Sequence, residues 1–262
     1  MGLFLPSVPE RNSKRRMDCS LCGGTGWRPV ERDGLRAVEI CDCRKGPRDE
    51  NWWMDRARVP RGYRHCLFSE FFADPSQPTL QIALLKAQGF VERYPLIEKG
   101  LLFLGSPGVG KTHLAVAILQ QLMIQKGVNC LFCSYQELLQ RIRESYDPVS
   151  LSTESEVLRP VLDANVVVID DLGANRISDW VEDTVTYVLN HRYSEKKETI
   201  LTSNLPDTPE ETQERSPSGK YRIADTLTDR IGIRVRSRLY EMCDVVTIKA
   251  LDFRQTVRWH NR

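Results

Sequence analysis

Long apolar runs are missing from this sequence. No stretch approaches 18 consecutive apolar residues, so no membrane-spanning helix and no membrane partner are expected. A secretory leader is missing too. The apolar residues Leu3 to Leu5 precede the basic run Lys14 to Arg16, the reverse of a signal peptide. Pro6 occupies the position where N-myristoylation after Gly2 needs Ser or Thr. These features predict a cytoplasmic protein, in which disulfides are disfavoured. Histidine is scarce, and His65, His113, His191 and His260 have no ligand spacing with one another. There is no internal repeat and no heptad run.

What remains is an ordinary globular composition. The 262 residues are 41% hydrophobic and 27% charged, which excludes wholesale disorder. That length fits one large domain, or a medium domain plus a small module. The net charge of +2 conceals an asymmetry: residues 1–65 carry 14 Lys+Arg against 9 Asp+Glu, residues 66–220 carry 14 against 21, and residues 221–262 carry 9 against 5. Arginine outnumbers lysine 27 to 10. The guanidinium fork suits phosphate, so a nucleotide or nucleic acid is a reasonable partner, with solvated surface charge the plainer reading.

Cysteine is abundant, eight in all. Cys19-x₂-Cys22 and Cys41-x-Cys43 lie 18 residues apart, and four thiolates in two close pairs match a structural Zn²⁺ site. Gly23, Gly24 and Gly26 let the backbone wrap a metal. A module this small needs such a ligand, because it cannot build a core of its own. Cys130 and Cys133 also read C-x-x-C, but residues three apart on a strand face opposite ways, so these are core thiols.

The chain divides into a disordered basic tail (1–16), a Cys₄ zinc-binding module (17–46), an aromatic-rich linker lying on the next domain (47–75) and a regular domain (76–262). Short apolar runs at 101–104, 129–133, 166–169, 199–202 and 245–248 predict five buried strands. Helices are predicted at 79–93, 112–126, 135–145, 155–163, 177–195 and 233–242, and 208–220 reads as a mobile loop. Alternating strands and helices mean an α/β fold on a parallel sheet.

Between the first strand and its helix lies Gly105-Ser106-Pro107-Gly108-Val109-Gly110-Lys111-Thr112, a full G-x-x-x-x-G-K-[ST] phosphate loop in its required context. Its backbone N–H groups, with His113 next on the helix, would cradle the phosphates of ATP. Lys111 reaches the β- and γ-phosphates, and Thr112 ligates Mg²⁺. The run 166–169 ends in Asp170 and Asp171, carboxylates delivered to the sheet's ligand-binding edge. Asp170 would hold Mg²⁺. Asp171 would polarise the attacking water or cap the following turn. Asn204, at the end of 202–204, would orient water or form a turn. Arg234, Arg236 and Arg238 fall on one predicted helix, with Arg234 and Arg238 on a shared face. That face is a nucleic-acid contact, a salt-bridged surface, or an arginine finger for a neighbouring copy. Arg141 and Arg143 are candidates for contact with single-stranded DNA, or plain exposed charge.

Three stretches together, Gly108-Val-Gly-Lys-Thr-His-Leu-Ala115, Ile169-Asp-Asp-Leu-Gly173 and Thr199-Ile-Leu-Thr-Ser-Asn204, resemble the DnaC/DnaI/IstB group of AAA+ ATPases. Val59-Pro-Arg-Gly-Tyr63 is similar to the segment before that ATPase core, and the likeness spans roughly residues 55–255. The resemblance implies a P-loop NTPase of AAA+ type. Asn204 is implied as sensor 1, Arg238 as the finger with Arg234 in support, and Arg254 as a late sensor 2 arginine. Only 14 residues follow the fifth strand, so no C-terminal helical lid is expected. Asp171 stands where the family carries Glu, which implies slow hydrolysis. The implied activity is ATP hydrolysis stimulated by assembly or DNA. The implied partners are a hexameric replicative DNA helicase, single-stranded DNA and further copies of this chain. The alternatives are an IstB-like transposition helper and a non-enzymatic adaptor that uses ATP as a structural ligand.

Overall fold

A computed structural model describes residues 27–32, 35–40, 50–147, 153–174, 178–207, 213–215, 221–223 and 225–254. The chain separates into two compact units, 1–49 and 50–262. In the first, strands β1 (Trp27–Arg32) and β2 (Leu35–Ile40) form an antiparallel hairpin with Trp27 opposite Ile40. Cys19, Cys22, Cys41 and Cys43 lie outside the described residues.

The second unit is built on five strands: β3 (Gly100–Gly105), β4 (Cys130–Ser134), β5 (Val166–Asp170), β6 (Glu198–Ser203) and β9 (Cys243–Ile248). All are parallel, in the spatial order β4-β5-β6-β3-β9. Side chains alternate along each strand, so the sheet needs cover on both faces. Leu101, Phe103, Val166, Val168 and Ile200 share one core. It is covered by α1 (Glu50–Arg56), α2 (Pro78–Arg93) and α3 (Lys111–Lys126). Leu102, Leu104, Val167, Ile169 and Leu201 point the other way. They meet α4 (Tyr135–Ser145), α5 (Glu154–Asp163), α6 (Asp179–Ser194), α7 (Leu227–Ile231) and α8 (Ile233–Met242). Cys130 and Cys133 are free thiols divided between these two cores.

Three features add detail to the sequence pattern. Residues 50–75 pack as part of the second unit: Trp53, Met54, Ala57, Val59 and Cys66 are all in the first core, and the Phe132 N–H donates to the Ala57 carbonyl at 2.7 Å. Inside the stretch 208–220 predicted as a loop, β7 (Gln213–Arg215) forms and pairs antiparallel with β8 (Tyr221–Ile223), just beyond it. Helix α6 begins two residues later than predicted, because the Ser178 hydroxyl caps it by accepting from the Val181 N–H. Among the described residues, no helix is long and apolar enough to cross a membrane.

Among the described residues, the most buried charge lies on α6. Arg192 is 0% exposed. Its guanidinium donates to the carbonyls of Val161, Ala164, Asn165 and Glu198 and to the Thr199 hydroxyl, at 2.5–3.2 Å. It thereby satisfies the end of α5 and the entries to β5 and β6 at one point. Truncation would leave those acceptors buried without a donor, at about 1–3 kcal/mol each. Arg192→Met should therefore lower stability by at least about 3 kcal/mol in urea denaturation. A loss below about 1 kcal/mol would contradict this account.

Candidate active site

The sheet delivers three neighbouring strand ends to one edge: β3, β6 and β5. The turn from β3 into α3 is the phosphate loop. Gly108 (φ 80°) and Gly110 (φ 93°) adopt left-handed backbone, so L side chains would be strained there. Space forbids them as well. A Cβ on Gly108 would lie 1.8 Å from Asp252 Oδ1, and one on Gly110 would lie 2.6 Å from Phe71 Cε2.

Lys111 is buried. Its ammonium donates to the Gly105 carbonyl (2.7 Å), the Ser106 carbonyl (2.8 Å) and Asn204 Oδ1 (2.6 Å). The Asn204 amide then donates to Asp171 Oδ1 at 2.6 Å. Burial lowers the Lys111 pKa to about 8, with Asp171 and Asp170 pulling upward and Arg254 downward. Beside it, Asp170 Oδ1 accepts from the Thr112 hydroxyl (2.8 Å) and the Thr202 hydroxyl (2.7 Å). Burial pushes the Asp170 carboxyl above its ordinary range against those two hydrogen bonds. A hydroxyl and a carboxylate oxygen together form the hard donor pair that suits Mg²⁺.

Thr202 was not singled out from sequence. Its hydroxyl donates to Asp170 and accepts from the Asp171 N–H at 2.9 Å. The Leu172 N–H donates to the Thr202 carbonyl, and the Ser203 hydroxyl to the Leu172 carbonyl. This sets the turn in which Asp171 takes φ 59°. A polar residue closing an apolar strand beside Asn204 was the available signal.

A model of the family described as IstB-like ATP binding protein matches residues 44–259. The chain belongs to that family. A phage-like element PBSX protein, XkdC, of Bacillus subtilis (strain 168) is 26% identical over 92% of this chain and 85% of its own. The replicative helicase loader DnaC of Escherichia coli (strain K12) is 27% identical over 47% of this chain and 49% of its own. The crystal structure of the DnaC helicase loader aligns at 34% identity with a TM-score of 0.59, covering 72% of this chain and all of that one. The IstB-like family and the loop geometry agree on an ATP-binding P-loop fold.

The remaining sequence candidates fall in two places. Arg254 lies near Lys111, close enough to act on its charge, and the Phe253 N–H donates to the Gly108 carbonyl at 3.1 Å. The His113 side chain turns away from the loop and donates to the Leu67 carbonyl at 2.7 Å, so only its backbone is offered to phosphate. The α8 arginines are all paired within the chain. Arg234 binds Glu182, and Arg236 forks onto Asp207 at 2.9 and 3.0 Å. Arg238 binds Asn190 (2.9 Å) and Glu241 (2.5 Å) and lies over the Tyr193 ring. Among the three readings of this face, the salt-bridged surface describes this chain alone. A finger role concerns a second copy.

A lysine with a pKa near 8 predicts a pH profile. Phosphate needs the ammonium, and its charged fraction falls steeply between pH 7 and 9. Affinity for a fluorescent ATP analogue with Mg²⁺ should weaken over that interval. Lys111→Arg keeps its charge and should flatten the profile. An equal slope in both proteins would remove Lys111 as the titrating group.

Proposed function

We propose that this protein is an ATP-hydrolysing loader that delivers a hexameric replicative helicase onto single-stranded DNA. One observation carries the ATPase part: Asn204 links Lys111 to Asp171 through its two amide atoms. A hydrolase needs an ordered water in line with the γ-phosphate, and a carboxylate beside a fixed amide orients one. Mg²⁺ held by Thr112 and Asp170 would neutralise charge developing on the phosphates. Asp171, being shorter than Glu, implies slow basal turnover.

The loader part is supported by the likeness to DnaC, named a replicative helicase loader, although the Escherichia coli match spans about half of that relative. The hairpin unit would be the helicase grip. Its strands pair Trp27 with Ile40, while Cys22 precedes the first strand and Cys41 follows the second, so their open ends lead to the two cysteine pairs. That connectivity supports one structural Zn²⁺ on Cys19, Cys22, Cys41 and Cys43. For single-stranded DNA, Arg143 lies over the Trp180 ring at 5.1 Å, with Tyr146 edge-on at 6.3 Å and 54% exposed. The exposed Tyr146 beside Arg143 and the half-buried Trp180 would offer a base one ring to stack on and a cation for its phosphate, with Arg141 on the same helix. The family's IstB-like description keeps a transposition helper as the second reading.

Three experiments test these assignments. The protein should co-elute with the host's replicative helicase on size exclusion in ATP, carry one zinc per chain, and lose the complex when residues 1–46 are deleted. No complex in ATP, ADP or without nucleotide would favour the transposition helper. Zinc-free protein, freshly purified and reduced, would remove the metal assignment. In ATPase assays, Arg238→Ala should bind ATP normally yet lose stimulation by assembly. Trp180→Ala should lose stimulation by single-stranded DNA alone. Unchanged stimulation in either variant would remove its assigned role.

A further inference from the structure

The segment 59–72 and the phosphate loop are joined by side chains that the nucleotide chemistry leaves unused. Helix α3 holds this segment at two carbonyls. Gln120 Nε2 donates to the Arg64 carbonyl at 3.0 Å, and His113 Nε2 donates to the Leu67 carbonyl at 2.7 Å. Seven residues are two turns, so both donors lie on one face of the helix. A carbonyl only accepts, so Nε2 of His113 carries the proton. Burial pushes the imidazole pKa below its ordinary value, and His65 and Glu70 are the titratable side chains facing it. The ring thus has its Nε2 donor committed to this bond.

The Phe71 ring completes the link. It meets His113 edge-on with centroids 5.4 Å apart, and it lies where a side chain on Gly110 would be. Tyr63, in the same segment, is near enough to Asp170 and Asp171 for both to act on its phenol. Gly110 and His113 belong to the same first turn of α3, whose unpaired N–H groups are those a phosphate would take. One backbone turn thus serves the phosphates and holds residues 64–71. The same segment leads back through α1 to residue 49, where the N-terminal unit ends.

We propose that His113 is a positioning residue that couples phosphate in the loop to the 59–72 segment, ordering that segment when nucleotide binds. The proposal rests on the ATP-binding reading and is independent of the loader assignment. Occupancy of the loop fixes the first turn of α3, which fixes the imidazole, which fixes Leu67 and Phe71. The nucleotide state then reaches the chain segment that continues into the hairpin unit.

The test is limited trypsin digestion of the full chain with and without saturating fluorescent ATP analogue and Mg²⁺, with binding followed in the same samples. Arg61 is exposed within the segment, and cleavage after it reports opening. In the unaltered protein, nucleotide should slow that cleavage. One hydrogen bond is worth about 1 kcal/mol, so His113→Ala should lose about 5-fold of the protection when the two proteins are compared at equal occupancy by analogue. His113→Gln can place an N–H near the Leu67 carbonyl and should recover most of it. Full protection in His113→Ala overturns the proposal, as does His113→Gln behaving like His113→Ala. Loss of analogue binding in both folded variants also overturns it, by placing His113 in the phosphate cradle itself. If the unaltered protein bound no analogue, the ATP-binding reading would fall and the coupling with it. If it bound analogue without protection, the coupling alone would fall.

Discussion

The site depends on one carboxamide held between two charges. Asn204 gives its oxygen to the Lys111 ammonium and its nitrogen to the Asp171 carboxylate. An amide has one acceptor end and one donor end, so these two bonds fix its orientation. The sheet order makes this possible. β6, which ends at Ser203, lies between β3 and β5, so the residue after it stands between the lysine of one strand end and the acid of the other. Parallel strands bring all three ends to the same edge. An antiparallel β6 would have sent Asn204 to the opposite side of the molecule.

Burial makes these polar contacts count. Lys111 and Asp170 are 5% and 8% exposed, and burial opposes the charged form of both. Hydroxyls and carbonyls offset that cost: Thr112 and Thr202 at Asp170, and the Gly105 and Ser106 carbonyls at Lys111. The arrangement is preorganised for a polyanion with a divalent cation, since the groups that would meet phosphate and metal are already oriented and partly desolvated. Arg192 plays a comparable part at the far edge of the same sheet, where it joins α5, β5 and β6 through five acceptors.

Legibility in the sequence followed how local each signal is. The phosphate loop was complete in eight consecutive residues, and the five strands were apolar runs of a kind that only a doubly covered sheet requires. The α8 arginines were legible as a cationic face, but their partners Glu182, Asp207 and Asn190 come from distant parts of the chain, so pairing could not be told from a free surface. Arg192 was hidden for the opposite reason: a charged residue on a helix reads as exposed, and only the fold reveals the carbonyls converging on it. Helix α1 and residues 57–72 have no clean periodicity, because they follow the groove beside α3 rather than present one regular face to it. The aromatic content of 47–75 pointed to packing on the surface of the following domain, without locating the contacts. His113 was grouped with the loop by its place in the motif, whereas its side chain serves Leu67.

The glycines of the loop show why motif and fold must be read together. Gly110 is required by the phosphate-loop pattern and Gly108 fills one of its free positions, where glycine likewise lets backbone approach phosphate. In this chain each also answers a contact from elsewhere. Asp252 lies against Gly108, and the next residue, Phe253, donates to its carbonyl; Phe71 lies against Gly110. One contact comes from the segment before the nucleotide-binding core, and the other from the turn after its last strand. The loop is thus held between two distant parts of the chain, and a Cβ at either glycine would displace one of them before it met any ligand. Conformation, phosphate access and the docking of both segments all demand the same residue. Any movement of the loop must therefore be shared with Phe71 on one side and with the 252–254 turn on the other.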